Sequence, residues 1–505
     1  MHVSARSAVL NGIEGIAVDV EVDVHPGVGH FDIVGLPETT VRESKVRVLS
    51  AIRNLGFRAS SRWITVNLAP ADVRKHGSLF DLPVALGVLA CLKAFPAKQL
   101  KNRLIIGELS LNGQIRAIPG VLPMVAAAKK QGLSEVIVPE ANANEAAIVE
   151  GVRVLPASSL EQLIAFFQSG NPIPALTNKV AFKTRQTGLD LADVRGQTTV
   201  KRAIEIAAAG RHNLLMIGPP GSGKTMLARR IASILPDLTY SESLETTTIH
   251  SVAGLLGRQS GLISSRPFRT PHHTASAVAI IGGGSRPRPG EVSLANNGIL
   301  FLDELPEWRR EVLEVLRQPL EDKMVTITRA SGAATYPADV LLIAAMNPCP
   351  CGYLGDSRHR CTCSPAEISR YRSKVSGPLM DRIDLHVEVP SVTFSELSQD
   401  LPTGESSKEI RARTVAAANI QAQRFATASY IFNGQMSGKA VRTFCKIPPE
   451  ATGLLEVAMD RLGLSARALD KVLKIARTIA DLDGQTDISS VHISEAISYR
   501  LLDRM

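Results

Sequence analysis

Aromatic side chains are scarce in this chain: they make up 4% of its 505 residues, with two tryptophans and six tyrosines. Single-stranded nucleic acids are often held by bases that stack on aromatic rings, so we do not expect stacking to be the main mode of any nucleic-acid contact. Positive charge is in surplus, with a formal net charge of +9. That surplus suits a polyanionic partner but does not identify one.

The sequence also lacks a membrane-spanning run and a secretory leader. The longest apolar run, residues 82–92, is too short to cross a bilayer, and residues 1–6 contain no hydrophobic leader region. We therefore expect a cytoplasmic protein without membrane contact. A hydrophobic content of 45% with 21% charged residues predicts a folded globular chain, and the length predicts several domains.

Residues 218–225 read Gly-Pro-Pro-Gly-Ser-Gly-Lys-Thr and fit G-x-x-x-x-G-K-[ST], the phosphate-binding loop. Residues 213–217 predict a strand before it, and residues 226–232 predict a helix after it. In that context Lys224 reaches the β- and γ-phosphates and the Thr225 hydroxyl binds Mg²⁺. A Gly/Pro turn before an ordinary helix is the alternative. The residues expected to contact ATP are Gly218, Pro219, Pro220, Gly221, Ser222, Gly223, Lys224, Thr225 and Met226.

A second motif lies at residues 298–304, where an apolar run ends in Asp303 and Glu304. This is the Walker B pattern, in which the first carboxylate holds the water shell of Mg²⁺ and the second polarises the attacking water. A buried strand that ends in two solvated acids by chance is the alternative. Together the two motifs resemble the ATP site of AAA+ ATPases, which have a P-loop α/β core.

That resemblance assigns roles to two further residues. Asn347 follows the apolar run 341–346 and matches sensor 1, which orients the attacking water beside the γ-phosphate. Arg382 resembles the arginine finger that enters a neighbouring subunit's site and spreads its charge over the transition state. The alternative for Arg382 is a surface ion pair with Asp381 or Asp384.

The resemblance also covers both ends of the core. Residues 191–197 precede a predicted helix at 200–209, and in AAA+ ATPases such a stretch packs against the adenine. Arg467 opens a predicted helix at 466–482, as sensor 2 does in the α-helical lid, with a solvated arginine at a helix start as the alternative. The residues expected on the adenine side are Val194, Gly196 and Gln197.

Two insertions interrupt the core. A long insert between the two motifs includes His272 and His273, which we expect to be structural or DNA-facing. Residues 324–329 and 333–336 predict a β-hairpin just before sensor 1. Together they resemble the AAA+ branch that holds magnesium chelatase motor subunits and MCM helicases, in which the hairpin contacts DNA. Arg329 would then touch a phosphate, and an exposed arginine at a hairpin end is the alternative.

Four of the six cysteines are crowded between residues 349 and 363. Without a secretory leader these thiols are expected to be reduced, so metal binding is favoured over disulfides. Two Cys-x-Cys pairs can close a tetrahedral zinc site, which would be structural because four thiolates leave no open position. His359 could replace one thiol, and four free reduced cysteines are the alternative to a metal. The expected ligands are Cys349, Cys351, Cys361 and Cys363.

Residues 1–170 alternate strand-like and helix-like segments, which predicts an α+β domain. Residues 107–115, 126–129 and 136–139 resemble the proteolytic domain of Lon-type proteases, a fold of the ribosomal S5 domain 2 type. The resemblance places Val84 where the nucleophilic serine belongs and Leu122 where its partner lysine belongs. A serine–lysine dyad needs both the hydroxyl and the amine, so the resemblance implies a Lon-like scaffold without protease chemistry.

Taken whole, the chain resembles the ComM/YifB family of magnesium chelatase-like bacterial AAA+ proteins. The motifs that carry this resemblance are Phe-Arg-x-Pro-His-His from residue 268, Asn-Pro-Cys-Pro-Cys-Gly from 347 and Leu-Met-Asp-Arg-Ile-Asp-Leu-His from 379. The expected multidomain α/β organisation is a Lon-like domain at 1–170, a linker at 171–190, an AAA+ core at 191–395, a linker at 396–408 and a helical lid at 409–505.

The family implies a hexameric ring of identical subunits that works as an ATP-dependent DNA helicase and migrates branches during recombination in natural transformation. It implies ATP and Mg²⁺ as cofactors, single-stranded and branched DNA as substrates, and recombination proteins as partners. Two alternatives remain open. One is a motor subunit of a magnesium chelatase-type complex, and the other is a Lon-type protease, which the missing dyad disfavours.

Overall fold

The computed structural model describes all of the chain except residues 60, 171, 177–187, 258–260, 285–286, 330–331, 357, 392–403, 427, 429–430, 463–464 and 501–505. Most of both predicted linkers therefore lies outside the described residues, and so do Ala330 and Ser331 in the predicted hairpin. Among the described residues, no helix combines the length and the apolar character needed to cross a bilayer.

The first part of the chain forms a seven-stranded mixed sheet in the order β3-β4-β2-β1-β5-β8-β9, with a separate β6–β7 ribbon. Its strands are β1 His2–Asn11, β2 Glu14–Pro26, β3 His30–Val34, β4 Arg62–Ala69, β5 Arg103–Ile105, β6 Glu108–Leu109, β7 Ile115–Arg116, β8 Glu135–Pro139 and β9 Arg153–Ala157. Its helices are α1 Thr39–Arg42, α2 Ser44–Asn54, α3 Asp81–Cys91, α4 Val121–Lys130, α5 Ala143–Ala146 and α6 Leu160–Ser169, with 3₁₀ turns at Ala97–Leu100 and Glu140–Asn142.

Two sequence patterns explain this sheet. In β2 the alternate residues Val18, Val20, Val22 and Val24 are buried, as the period of two predicts. The long apolar run at 82–92 is helix α3, and every residue of α3 is buried against the sheet and its neighbours. A helix that is apolar on all sides belongs in a protein core, so this run needs no membrane.

The position that the resemblance gives to the nucleophilic serine, Val84, lies near the start of a helix. Helix α3 begins at Asp81, so Val84 lies inside the helix and is 1% exposed. The turn before α3 contains Ser78, whose hydroxyl donates a hydrogen bond to Glu108. Leu122, the expected position of the partner lysine, lies in the first turn of α4 and is likewise buried. An apolar side chain at that position supplies no amine to activate a serine.

The second part of the chain is built on a five-stranded sheet in the order β11-β14-β17-β10-β18, and every pairing in it is parallel. Its strands and the two ribbons beside it are β10 Leu214–Ile217, β11 Phe268–Arg269, β12 Gly282–Gly283, β13 Arg288–Pro289, β14 Ile299–Leu302, β15 Met324–Arg329, β16 Gly332–Pro337, β17 Leu341–Met346 and β18 Leu385–Glu388.

Helices surround this parallel sheet, and the expected mixed α/β fold with a parallel-sheet core is confirmed. They are α7 Thr198–Gly210, α8 Lys224–Ile231, α9 Tyr240–Ala253, α10 Ala277–Ile281, α11 Glu291–Leu294, α12 Arg310–Val315, α13 Arg317–Asp322, α14 Pro365–Arg372 and α15 Gly377–Met380, with 3₁₀ turns at Leu191–Asp193 and Leu305–Glu307. Because parallel strands start at the same edge, β10, β14 and β17 all end at one edge, which is where parallel sheets bind ligands.

The predicted hairpin before sensor 1 is confirmed as the antiparallel pair β15–β16. It lies beside the β12–β13 ribbon, and the Tyr336 hydroxyl donates to the carbonyl of Pro287 at 2.8 Å. Ile13, in the turn between β1 and β2, packs against the same hydrophobic cluster as Tyr336. The first sheet therefore contacts the base of the hairpin directly.

The C-terminal part is helical, as predicted. Its helices are α16 Ser407–Arg424, α17 Gly438–Phe444, α18 Pro449–Leu462, α19 Ala466–Leu482 and α20 Ser490–Ser498, with a 3₁₀ turn at Asn433–Gln435. The side chains of Ser406 and Glu409 form a capping box at the start of α16. Helices α16, α19 and α20 share one hydrophobic cluster with α7 and one face of the parallel sheet.

A buried carboxylate, Asp481, holds the C-terminal helices together. It is 1% exposed and accepts from Arg424 Nη1 at 2.7 Å, from Arg477 Nε at 3.1 Å and from Asn433 Nδ2 at 2.8 Å. Arg477 and Asn433 are buried and Arg424 is 15% exposed, so Asp481 is the buried acceptor that all three share.

We expect Asp481→Asn to destabilise the protein by about 3 kcal/mol, because it leaves the buried Arg477 and the half-buried Arg424 without a counter-charge. Urea denaturation followed by circular dichroism measures this effect. Asp487→Asn is the matched control, since Asp487 is exposed on the following loop and its loss should change stability by about 0.5 kcal/mol or less. Equal effects of the two substitutions would contradict the role of Asp481.

Candidate functional site

Lys224 lies at the centre of the edge where β10, β14 and β17 end. Its ammonium donates to the carbonyls of Gly218 and Pro219 at 2.8 and 2.9 Å and to Asn347 Oδ1 at 3.3 Å. The side chain is only 9% exposed, and this burial lowers the pKa of Lys224, although the nearby Asp303 opposes the shift. A desolvated cation held by weak acceptors suits an anionic ligand that would replace them.

Thr225 and Asp303 form a pair of oxygen ligands next to this lysine. Thr225 Oγ1 donates to Asp303 Oδ2 at 2.8 Å, and Asp303 Oδ1 accepts from the backbone N–H of Glu304 at 2.9 Å. The indole of Trp308 donates to the Asp303 carbonyl at 2.9 Å and fixes the end of β14. A hydroxyl and a carboxylate side by side are hard oxygen donors of the kind that Mg²⁺ prefers, so this pair fits the ion.

The loop between β10 and α8 needs glycine at specific positions. Gly221 and Gly223 have φ of 76° and 88°, the left-handed region that other residues rarely adopt. A Cβ at Gly218 would lie 2.2 Å from the carbonyl oxygen of Val389, so a larger residue does not fit there. Met226 follows in the first turn of α8 and is 39% exposed. The loop therefore has the conformation that the motif requires.

The residues predicted for the adenine side lie next to the loop. Val194 is buried, and Gly196 and Gln197 both have positive φ. Gln197 Nε2 donates to the carbonyls of Ser222 and Pro390 at 2.9 and 3.2 Å. Two buried atoms here, Gln197 Oε1 and Ser222 Oγ, have no hydrogen-bond partner within the part of the chain that the structure describes. Buried polar atoms are nearly always bonded, so these two fit a site that a polar ligand completes.

Glu304 has a partner that the sequence analysis missed. Its Oε2 lies 3.0 Å from Nδ1 of His273, while the carboxylate stays 57% exposed. Its backbone φ is 51°, an uncommon conformation for a residue with a side chain and one often found at functional sites. The ring of His273 also lies against that of His272, with centroids 4.2 Å apart. His273 reaches Glu304 because β11 runs beside β14, an adjacency that residue spacing alone does not give.

Arg382 lies away from this site. Its Nη2 is 2.5 Å from Glu321 Oε1, and the side chain is 14% exposed. The guanidinium also donates to the carbonyls of Arg317 and Pro378, at 3.1 and 2.6 Å. Arg382 therefore has an ion pair, but with Glu321 rather than with the Asp381 or Asp384 that the alternative interpretation named.

Arg467 is exposed in the first turn of α19. Among the hydrogen bonds and ion pairs of the described residues, none connects it to Lys224, Asp303 or Asn347. Arg329 is exposed at the end of β15. The structure therefore brings Lys224, Thr225, Asp303 and Asn347 together in one subunit, and it leaves Arg329, Arg382 and Arg467 outside that cluster.

The four clustered cysteines converge directly after Asn347. Cys349 Sγ lies 3.4 Å from Cys351 Sγ and 3.6 Å from Cys361 Sγ, and all four sulfur atoms, with that of Cys363, lie within 4.8 Å of one another. Backbone N–H groups of Tyr353 and Thr362 hold the pKa of the Cys351 thiol at about 5. Four sulfurs at these separations can bind a metal ion such as zinc.

His359 is not part of this cluster. Its Nδ1 is 2.8 Å from Asp356 Oδ2, and its ring lies 4.6 Å from that of Tyr353. The substitution of a thiol by this histidine, which the spacing left open, is therefore not what the structure assembles.

Comparison with known proteins agrees with this architecture. The family described as magnesium chelatase, subunit ChlI, matches residues 190–397, and two families described as subunit ChlI of Mg-chelatase and as the ChlI C-terminal region match residues 20–142 and 404–500. The chain is similar to competence protein ComM of Haemophilus influenzae, at 42% identity over 98% of this chain and 96% of that protein. It is equally similar to YifB of Escherichia coli, at 42% identity over 100% of this chain and 97% of that protein.

A more distant similarity concerns a shorter stretch. The Lon protease of Trichlorobacter lovleyi is 26% identical over 34% of this chain and 23% of that protein. The similarity to ComM and YifB covers almost the whole length, whereas this one covers a third of it.

Proposed function

The chain belongs to the family of magnesium chelatase-like AAA+ proteins that includes ComM and YifB, a family that implies ATPase activity, and on that premise we propose that it is a ring-forming ATP-driven DNA motor. Its function in this proposal is branch migration during the recombination of incoming DNA in natural transformation, since ComM is named as a competence protein. The observation that carries the ATPase part is the convergence of Lys224, Thr225, Asp303 and Asn347 at one edge of the parallel sheet.

In the proposed reaction each residue of this cluster has one task. Lys224 leaves the carbonyls of Gly218 and Pro219 and binds the β- and γ-phosphates. Thr225 and Asp303 would hold the Mg²⁺, which supplies charge neutralisation for the phosphates. Glu304 accepts a proton from the attacking water, and Asn347 orients that water beside the γ-phosphate.

We expect Lys224→Ala to abolish ATP binding and Glu304→Gln to retain binding while hydrolysis falls about 100-fold or more, because only the base is lost. Binding of a fluorescent ATP analogue and release of phosphate measure the two properties separately. Glu307→Gln is the control: this nearby carboxylate is 46% exposed and pairs with Lys374, so its loss leaves the proposed base intact. Normal hydrolysis by Glu304→Gln would reject the assignment of the base.

The proposed ring needs Arg382 to act on the ATP of a neighbouring subunit. That function requires the guanidinium to exchange Glu321 and two carbonyls for the γ-phosphate, whose charge attracts it more strongly. Arg467 acts as sensor 2 on the lid in the same proposal. We propose a ring of six subunits, the number that the resemblance to the ComM/YifB family implies.

We expect Arg382→Ala and Lys224→Ala each to lose ATPase activity, and a mixture of the two proteins to regain part of it. In a mixed ring, an intact Lys224 pocket of one subunit meets an intact Arg382 of another, so some composite sites are complete. Phosphate release by mixed and unmixed proteins tests this. A mixture as inactive as its components, or an Arg382→Ala protein with normal activity, would reject the action between subunits.

DNA contact is assigned to the two adjacent ribbons, β12–β13 and β15–β16. Arg288 and Arg329 are both exposed on these ribbons, so each can meet a phosphate without reading the base sequence. The basic surplus of the chain supports the same assignment. Residues 1–170 serve as a Lon-like scaffold in contact with the hairpin, residues 191–395 as the motor and residues 409–505 as the lid, and recombination proteins are the proposed partners.

We expect Arg329→Ala to reduce DNA-stimulated ATP hydrolysis and the unwinding of a three-stranded junction several-fold. The slope of log affinity for DNA against log salt concentration should also become shallower by about one. Arg442→Ala is the control, because Arg442 is exposed on α17, away from both ribbons. The assay compares no DNA, linear single strands and a three-stranded junction.

A motor subunit of a magnesium chelatase-type complex is the second candidate, because the matched families carry that description. ATP hydrolysis that responds to none of the DNA substrates would favour this candidate over the DNA motor. A Lon-type protease is disfavoured, since Leu122 supplies no amine for a dyad.

The four clustered cysteines complete the proposed set of cofactors. Reduced thiols at these separations fit a structural Zn²⁺ with no open coordination position. Zinc analysis of the purified protein, at one ion per chain, tests this assignment.

A further inference from the structure

We infer that the four-cysteine centre braces the nucleotide pocket, so that a metal ion bound by Cys349, Cys351, Cys361 and Cys363 fixes the positions of Asn347 and of the phosphate loop. The inference rests on the proposed ATP site and adds to it a dependence on a bound metal. The ion expected is Zn²⁺ in a tetrahedral set of thiolates.

Three of the four sulfur atoms already lie at nearly the separations that a tetrahedral ion needs, and the fourth, of Cys363, lies within 4.8 Å of them. A Zn–S distance of about 2.3 Å places tetrahedral sulfurs about 3.8 Å apart. The Cys349–Cys351, Cys349–Cys361 and Cys351–Cys361 sulfurs lie 3.4, 3.6 and 3.6 Å apart. The backbone N–H of Cys351 donates to Cys363 Sγ at 3.3 Å.

The first pair of cysteines is joined directly to sensor 1. Cys349 lies two residues after Asn347 and is completely buried. The N–H of Gly352 donates to the Cys349 carbonyl at 3.0 Å and closes a tight turn. Any displacement of Cys349 therefore moves Asn347, whose amide oxygen accepts from Lys224.

The same turn packs closely against the phosphate loop. Gly352 has φ of 88°, and a Cβ added there would lie 2.7 Å from Pro220 Cδ and 4.0 Å from Asn347 Cγ. Contacts under 3.0 Å are not tolerated without movement of a neighbour, so the cysteine turn and the loop are already in van der Waals contact. Gly352, which contacts the phosphate loop, is therefore the residue directly after the proposed ligand Cys351.

The far side of the cysteine segment is tied to the other end of the pocket. Asp356 Oδ1 accepts from the Ser391 hydroxyl at 2.9 Å. Ser391 follows Pro390, whose carbonyl accepts from Gln197 on the adenine side. The segment therefore spans the pocket from the phosphate loop to the adenine side.

The metal is needed because the segment has little structure of its own. Between the end of β17 and the start of α14, the described residues form turns but no helix or strand. A segment of this length without regular structure is uncommon in a compact fold unless something else orders it. Metal ligation supplies that order and makes the conformation beside Asn347 depend on the ion.

The test uses the full-length protein and two variants. One removes a ligand of the metal, and the other disturbs the contact between the cysteine turn and the phosphate loop. Cys361→Ser removes a ligand from the cysteine pair remote in sequence from Asn347. Gly352→Ala keeps all four thiols but places a methyl group against Pro220. Cys91→Ala is the control, because Cys91 lies in the first sheet's core, outside the cluster. Zinc content, the Kd of a fluorescent ATP analogue and thermal unfolding are measured for each.

We expect wild type and Cys91→Ala to carry one zinc and to bind the ATP analogue equally well. Cys361→Ser should lose the zinc and bind at least tenfold more weakly, whereas Gly352→Ala should keep the zinc and also bind at least tenfold more weakly. Unchanged ATP affinity in either variant would reject the inference that the cysteine turn supports the nucleotide pocket. Wild-type protein that binds ATP tightly without zinc would reject the inference that this support requires a metal. Failure of wild type to bind ATP would instead reject the proposed nucleotide site.

If Cys361→Ser does not fold, Gly352→Ala and wild type stripped of zinc by a chelator decide the question. Stripped protein that keeps its ATP affinity would overturn the inference, and recovery of affinity on adding Zn²⁺ would support it.

Discussion

The candidate site depends on the fixed register of three parallel strands. Leu214 of β10 pairs with Ile343 of β17, and Ile299 of β14 pairs with Leu341 of β17, so the three strands end at one level. Successive side chains of a strand point to opposite faces, so a shift of one residue in β14 would turn Asp303 away from Thr225. Strands β14 and β17 are buried along their whole length, and this burial on both faces holds the register.

Lys224 and Thr225 have hydrogen-bond partners within the site itself. Lys224 is desolvated, but two carbonyls and Asn347 accept its protons, and Thr225 donates to Asp303. A phosphate that binds Lys224 would therefore exchange the hydrogen bonds of this lysine rather than add to them. What changes is the charge of the acceptor, since carbonyl oxygens are replaced by phosphate oxygens.

The sequence was sufficient wherever a motif is local. The phosphate loop, the apolar strands before Asp303 and Asn347, the β15–β16 hairpin and the four cysteines all follow from residues close together in the chain. Contacts between distant segments could not be obtained this way. The pairing of His273 with Glu304 requires β11 to lie beside β14, and the contact of Gly352 with Pro220 requires the cysteine turn to fold back over the loop.

Arg382 shows why the proposed ring would have to change the contacts of a single chain. Its guanidinium is bound by Glu321 and two carbonyls and is 14% exposed. Removing it from these partners has a cost, which only a stronger acceptor can offset. In the proposed ring, a γ-phosphate on a neighbouring subunit would be such an acceptor, because it carries more negative charge than one carboxylate. Under that proposal, nucleotide and neighbour must be present together for the arginine to move, which would couple hydrolysis to assembly.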